Sequence, residues 1–173
     1  MLCYYGNPIL RKRAQEISEI TDEIRALANL LVEKMHEYDG IGLAAPQIGV
    51  LKRIFVIRVI SEDAEGEVVV GEPRVFINPI LSHPSEELVE RNEACLSIPK
   101  LSAPVLRPLT IDIEATNVEG ERFTLRGCWG FLARVMMHEN DHLNGVLFID
   151  HIKGKRRTQL DPVLRRIKRE YTL

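Results

Sequence analysis

No stretch of this chain approaches the uninterrupted apolar length that a bilayer span requires. The N-terminal MLCYYGNPILRKRAQEI likewise has no apolar core followed by a small-residue cleavage site. The expected setting is therefore cytoplasmic, of bacterial type, with no membrane contact; an organelle stays open as the alternative, because a leader removed earlier leaves no trace. Cysteine is scarce. Cys3, Cys95 and Cys128 are too few and too scattered for a disulfide framework, and no CxxC pair suggests a structural zinc site, so each must be read separately. Internal repeats, low-complexity tracts and linkers are absent too, which leaves residues 1–173 as a single expected domain of ordinary length. With 45% hydrophobic and 28% charged residues, the composition is globular and excludes a disordered chain.

Charge is nearly balanced overall but unevenly placed. The net charge is −2, yet residues 151–173 hold eight Lys/Arg against Asp161 and Glu170, a balance of +6 that leaves −8 for the rest.

Apolar residues at Ile24, Leu27, Ala28, Leu31, Val32 and Met35 predict an amphipathic helix over residues 21–38, capped by Thr21 and ended by Asp39-Gly40. The β-branched run Arg53–Ile60 predicts a buried strand, Ser61–Glu67 a solvated loop, and Arg74–Leu81 and Leu88–Arg91 further strand pieces. Thr110–Thr116 alternates and turns through Asn117–Gly120 into Arg122–Leu125 as a hairpin. A second helix is expected from about Trp129 to Leu143, with Phe131, Val135, His138 and His142 on one face. A third is expected to start at Asp161 as cap with Pro162 in its first turn, and to carry Leu164, Ile167 and Tyr171 inward.

The strongest local signal is His138-Glu139-Asn140-Asp141-His142. Histidines four apart on a helix project from one face at neighbouring turns and can offer two nitrogens to one metal ion, with Glu139 placed to act on water beside it. Core or surface histidines are the ordinary reading of so short a pattern. Two imidazoles alone bind weakly, so a third protein ligand is needed, and Cys95 in Glu93-Ala94-Cys95-Leu96-Ser97 offers a strong soft donor. An inert, buried cysteine is the competing reading for Cys95, and it is the one assigned to Cys3 and Cys128.

Three segments, GIGLAAPQ at Gly40–Gln47, EACLS at Glu93–Ser97 and HENDH at His138–His142, occur in the order and approximate spacing found in peptide deformylases, which the chain resembles over nearly its whole length. The opening Tyr5–Leu10 and the segment Arg74–Pro79 are similar as well. The resemblance implies an α+β fold in which small β-sheets surround a central metal-binding helix, with an N-terminal and a C-terminal helix. It also implies metal ligation by Cys95, His138 and His142, general acid/base action by Glu139, and stabilisation of a developing oxyanion by the Gln47 side chain and the Leu96 backbone N–H. Gly40, Ile41 and Gly42 are expected to let a substrate backbone approach closely, although Gly40 also serves to end a helix. Phe131, Val135 and Ile41 are candidates for an apolar pocket, and core packing explains them equally well. Asp141 is expected to orient a ligand or to pair with a cation such as Arg107, and an ordinary helix-surface carboxylate is the competing reading.

The implied reaction removes the N-formyl group from the N-terminal methionine of new polypeptides and releases formate. Its expected cofactor is one divalent ion, Fe(II) by family habit, with Zn, Ni and Co suiting the same donors. The expected partners are formylmethionyl nascent chains; the basic C-terminal helix reads either as a ribosome contact, which the resemblance implies, or as an ordinary solvated amphipathic helix. Two positions depart from the family pattern: Ala94 replaces its glycine before the cysteine, and Ser102 stands where many members carry an arginine. A deformylase-like protein with altered N-acyl range, or one that only binds, is the first alternative. A zinc endopeptidase is the second, and it would need a third ligand from His151, Asp150 or Glu170.

Overall fold

In the computed structural model, which describes residues 1–62 and 68–171, the periodicity around Leu31 becomes helix α1, Asp22–Glu37. Thr21 occupies the N-cap position, but its side chain makes no capping hydrogen bond to the backbone and engages the Glu23 carboxylate instead. The C-terminal end is a double closure. Asp39 N–H donates to His36 O and Gly40 N–H to Met35 O at 2.8 Å, with Asp39 rather than a glycine in the left-handed conformation.

The main sheet has the order β1-β2-β3-β6-β7 and is antiparallel throughout: β1 is Gly42–Ala44, β2 Ile54–Glu62, β3 Val68–Ser82, β6 Thr110–Thr116 and β7 Arg122–Trp129. Strand β2 explains the unbroken apolar run seen in the sequence. Phe55 and Ile57 face helix α2, Gly130–Leu143, where they meet Ala133 and Met136; Ile54 and Val56 face α1, where they meet Leu31 and Met35. A strand covered on both faces has no polar side to show. Of the expected loop, Ser61 and Glu62 continue β2, and 63–67 lie outside the described residues.

A second sheet is the hairpin of β4, Leu88–Cys95, and β5, Ile98–Pro108. Its apolar face, with Ile98, Ala103 and Val105, packs on Leu10, Phe148 and Ile149 and on helix α3, Gly154–Tyr171, through Leu164 and Ile167. The sequence reading placed the start of α3 at Asp161-Pro162, and the structure corrects this: the helix begins at Gly154 and Pro162 lies inside it. Two contacts favour the earlier start. Leu160 packs against the same cluster, and Arg157 pairs with Asp161 one turn on, so Asp161 is a helix-surface partner and not a cap. No helix among the described residues is long and apolar enough to cross a membrane.

Candidate metal centre

Helix α2 runs between the two sheets and presents its histidine face to the β4–β5 hairpin. Its far end stops at Asn144, and Gly145 follows with φ of 72°; a Cβ there would meet Arg11 O at 2.6 Å, so the chain can pass the N-terminal turn only with glycine. At the opposite wall, Cys95 is the last residue of β4 before the two-residue turn Leu96-Ser97. Helix spacing and hairpin end thus converge: the donor atoms of Cys95, His138 and His142 all lie within 4.8 Å of one another, all three residues buried. Cys95 Sγ stands 3.3 Å from His142 Nε2.

A network around Glu93 sets the orientation. Glu93 Oε2 accepts from His138 Nδ1 at 2.9 Å, which assigns the proton to that nitrogen and leaves Nε2 free to face the cysteine. The same carboxylate is gripped by Arg107 through Nε at 2.6 Å and Nη2 at 2.9 Å, and by Arg134 Nη1 at 2.7 Å. Burial alone would raise the Glu93 pKa, but the hydrogen bonds from His138 and Arg107 outweigh it and hold the carboxyl well below its ordinary range. Arg107 continues to Asp141 Oδ2 at 2.8 Å, and His151 Nε2 meets the same oxygen at 2.7 Å. Asp141 therefore pairs with the cation named for it in the sequence. Glu93 and Arg134 were not singled out there; the signal available was the glutamate two residues before Cys95, and its partners lie 14, 41 and 45 residues away.

The electrostatics suit a cation. Burial holds His142 well below the ordinary imidazole pKa, so the ring stays neutral and one nitrogen lone pair is available. For His138 burial opposes charge, yet Cys95 and Glu93 favour it more and lift the pKa well above the usual value. A positive ion seated against Nε2 answers the same demand, and a thiolate with two imidazoles is a donor set suited to Fe, Zn, Ni or Co.

Two further groups aim at this point. Gln47 is buried; its Oε1 accepts from Ala44 N–H at 2.8 Å, which turns the amide so that Nε2 faces Cys95 Sγ at 3.6 Å and Ser97 Oγ at 3.3 Å. Burial pushes Glu139 up to about 7, against the pull of His138, and its Oε2 has no hydrogen-bond partner among the described residues. Glu139 packs on Gly42 so closely that a Cβ there would stand 2.5 Å from Oε1. Gly42 is thus required first by a protein side chain, an adjustment to its expected service to a substrate. Gly40 is crowded likewise by Leu96 Cδ1, at 2.9 Å from a notional Cβ.

These groups lie at the foot of a cleft of about 530 Å³ whose walls include Gly40, Ile41 and Gly42 on one side and Ala94, Leu96 and Ser102 on the other, with Phe131 and Val135 on α2. Ala94 has an ordinary strand backbone, without positive φ, and faces Ser102 across β4–β5, so the two departures from the family pattern are direct neighbours. Of the ligands a zinc endopeptidase would need, Asp150 is paired with Arg11 and His151 with Asp141. Cys3 and Cys128 stand outside the cluster, and burial raises both of their pKa values.

The polypeptide deformylase family model matches residues 1–158. Peptide deformylase 1 of Clostridium perfringens is 45% identical over 150 residues, which is 87% of this chain and 95% of that protein. The peptide deformylase of Thermosynechococcus vestitus is 40% identical over 154 residues, 89% of this chain and 79% of the relative. Among solved structures, Arabidopsis thaliana peptide deformylase 1B in complex with an inhibitor superposes with a TM-score of 0.87 at 33% identity, covering 98% of this chain and 91% of that one. The Ehrlichia chaffeensis peptide deformylase in complex with actinonin gives 0.87 at 32% identity, with 99% and 97% covered.

Proposed function

The chain belongs to the polypeptide deformylase family, and from that premise we propose how its own residues carry out the family's hydrolysis. The enzyme removes the N-formyl group from nascent polypeptides: water adds across the formyl C–N bond, and formate and a free amine leave. Residues 1–173 form one catalytic domain. Cys95, His138 and His142 hold a divalent ion, natively Fe(II), with Zn, Ni or Co accepted by the same donors. That ion, when bound, supplies Lewis-acid polarisation and brings the pKa of a nearby water toward neutrality.

The protein groups divide the remaining work. Glu139, a carboxyl balanced near pH 7 by burial, takes the proton from the attacking water and returns it to the amine nitrogen as the C–N bond breaks. Gln47 Nε2, held by the Ala44 anchor, donates to the oxygen that gains charge, and the Leu96 backbone N–H is the second donor. β1 lies at the edge of its sheet, so the Gly40-Ile41-Gly42 segment beside it can pair with an extended peptide. Glu93, Arg107 and Arg134 keep His138 in its tautomer and aim. The cell compartment is the cytoplasm, and the basic face of α3 docks on the ribosome.

The observation that carries this reading is the convergence of Cys95, His138 and His142 on one point, with Cys95, His138, Glu139 and Gln47 lining one cleft. Protein purified without oxygen should contain about one divalent ion per chain and release formate from formyl-methionyl peptides. Glu139→Ala should keep the ion and lose turnover by about 10²- to 10⁴-fold. A metal-replete wild type that releases no formate would reject the assignment.

A further inference from the structure

Strand β5 carries an irregularity at the cleft. The pairing steps from Cys95↔Ile98 to Ala94↔Ser102, so Pro99, Lys100 and Leu101 have no partner on β4. Leu101 turns inward and packs in the cluster of Cys95 and Ile98, whereas Lys100 is exposed and lines the cleft. Its φ is 60°. A left-handed backbone is unfavourable for a side-chain-bearing residue, and a bulge beside a site re-aims the residue at its apex. A strained, outward-turned residue at a binding wall is a functional candidate.

The charge at this point is free to act. Arg134, another cation on the wall, is taken up by Glu93, Val89 O and Val105 O. Lys100 makes no hydrogen bond or ion pair among the described residues. Asp39 is the one other exposed charge lining the cleft among them, and it follows α1. Between Lys100 and Cys95 the wall is low, because the opposed Ala94 and Ser102 are both small.

We propose that Lys100 is a specificity-determining residue that favours substrates with a carboxylate side chain on the second or third residue of the formylated peptide. This rests on the deformylase reading above. An extended peptide advances about 3.3 Å per residue with side chains alternating in direction, so one of these two positions, not both, faces Lys100.

The test uses metal-loaded protein and two amidated peptide series, formyl-Met-Xaa-Ala-Ser and formyl-Met-Ala-Xaa-Ser, with Xaa as Glu, Gln or Lys. In one series kcat/KM for Glu should exceed that for Lys by about three- to ten-fold at low salt, the range expected of an exposed ion pair formed in one case and a repulsion in the other. The ratio should fall toward one at high salt. Lys100→Glu should invert it and Lys100→Met should erase it, with metal content and thermal unfolding checked in each variant. The N-acetyl forms of the same peptides, titrated by calorimetry, should bind in the same order. A Glu-to-Lys ratio near one in both series, or a ratio unchanged in Lys100→Glu, overturns the proposal. Absence of formate from every peptide would instead overturn the deformylase reading, and the acetyl-peptide titration would still decide the role of Lys100.

Discussion

Glu93 concentrates the residue-scale physics, since one buried carboxylate accepts from an imidazole and two guanidinium groups at 2.6–2.9 Å. Removing its charge would leave Arg107 and Arg134 buried against a neutral acceptor and release the aim of His138. Glu93→Gln should therefore weaken metal affinity by about 10- to 100-fold and destabilise the fold by roughly 3–5 kcal/mol. Competitive chelator titration and urea unfolding measure the two effects, and wild-type values in both would show the network to be dispensable. Gly42→Ala attacks a different dependency. Its methyl would displace the Glu139 carboxylate by about the overlap a 2.5 Å contact implies. The expected result is full metal content with kcat lowered about 100-fold, the usual scale for a misplacement near 1 Å; unaltered kcat would mean that Glu139 has room to yield. The paired histidines were legible in the sequence because i, i+4 spacing on a helix is a local rule, whereas Cys95, on the hairpin, was legible only as a soft donor within a segment that resembles the family's. The grip of Glu93 on Arg134 was not, because it depends on the register of β4 against α2.

Among elements, those with one clean period were legible. α1, α2 and β6 bury alternate or every third-to-fourth residue, β2 opens as a continuous buried run, and the ends of all four fall within a residue or two of expectation. β5 was hidden. Pro99, Pro104 and Pro108 punctuate it, and the bulge at Lys100 breaks its alternation before Ser102. α3 was shortened because Pro162 reads as a helix start, whereas the burial of Ile152 and Leu160 carries the packing upstream of it. The turn between α2 and α3 is held through Asp150, which pairs with Arg11 and accepts from Leu147 N–H at 2.8 Å. Burial would raise the Asp150 pKa, but Arg11 and the Leu147 N–H outweigh it and lower it. A depressed folded pKa contributes stability that is present above the unfolded value, near 3.9, and lost as pH falls through the folded one. Asp150→Asn should thus be less stable than wild type at pH 7, by under about 1 kcal/mol because the pair is partly exposed. The gap should begin to shrink below about pH 4 and close only below the folded pKa. Urea midpoints at pH 7, 4 and 3 test this, and a gap of constant size would assign the effect to packing.

For the molecule as a whole, packing and charge separate along α3. Leu164 and Ile167 are each 2% exposed and fix one face to the body, while Tyr171, expected inward, is exposed and lies tilted against Tyr4 with ring centroids 4.3 Å apart. Arg156 pairs with Glu90 and Arg157 with Asp161, while Lys153, Lys155, Arg165, Arg166, Lys168 and Arg169 are exposed. The positive end was legible from composition, but its separation into buried stripe and outward charge needed the packing partners. Those partners also decide how ribosome docking should be tested. Truncation after Ile152 would strip Leu164 and Ile167 from the cluster that contains Cys95, so lost binding could reflect a disturbed metal centre. Charge reversal at Arg165, Lys168 and Arg169 to Glu leaves the buried stripe intact. The triple variant should remove the formyl group from short peptides at the wild-type rate, yet its cosedimentation with ribosomes should weaken and depend less on salt. Each lost phosphate contact reduces the log–log salt slope by roughly 0.7–0.9. An unchanged slope between 50 and 200 mM salt, the range in which phosphate-directed binding falls steeply, would remove α3 from the docking surface.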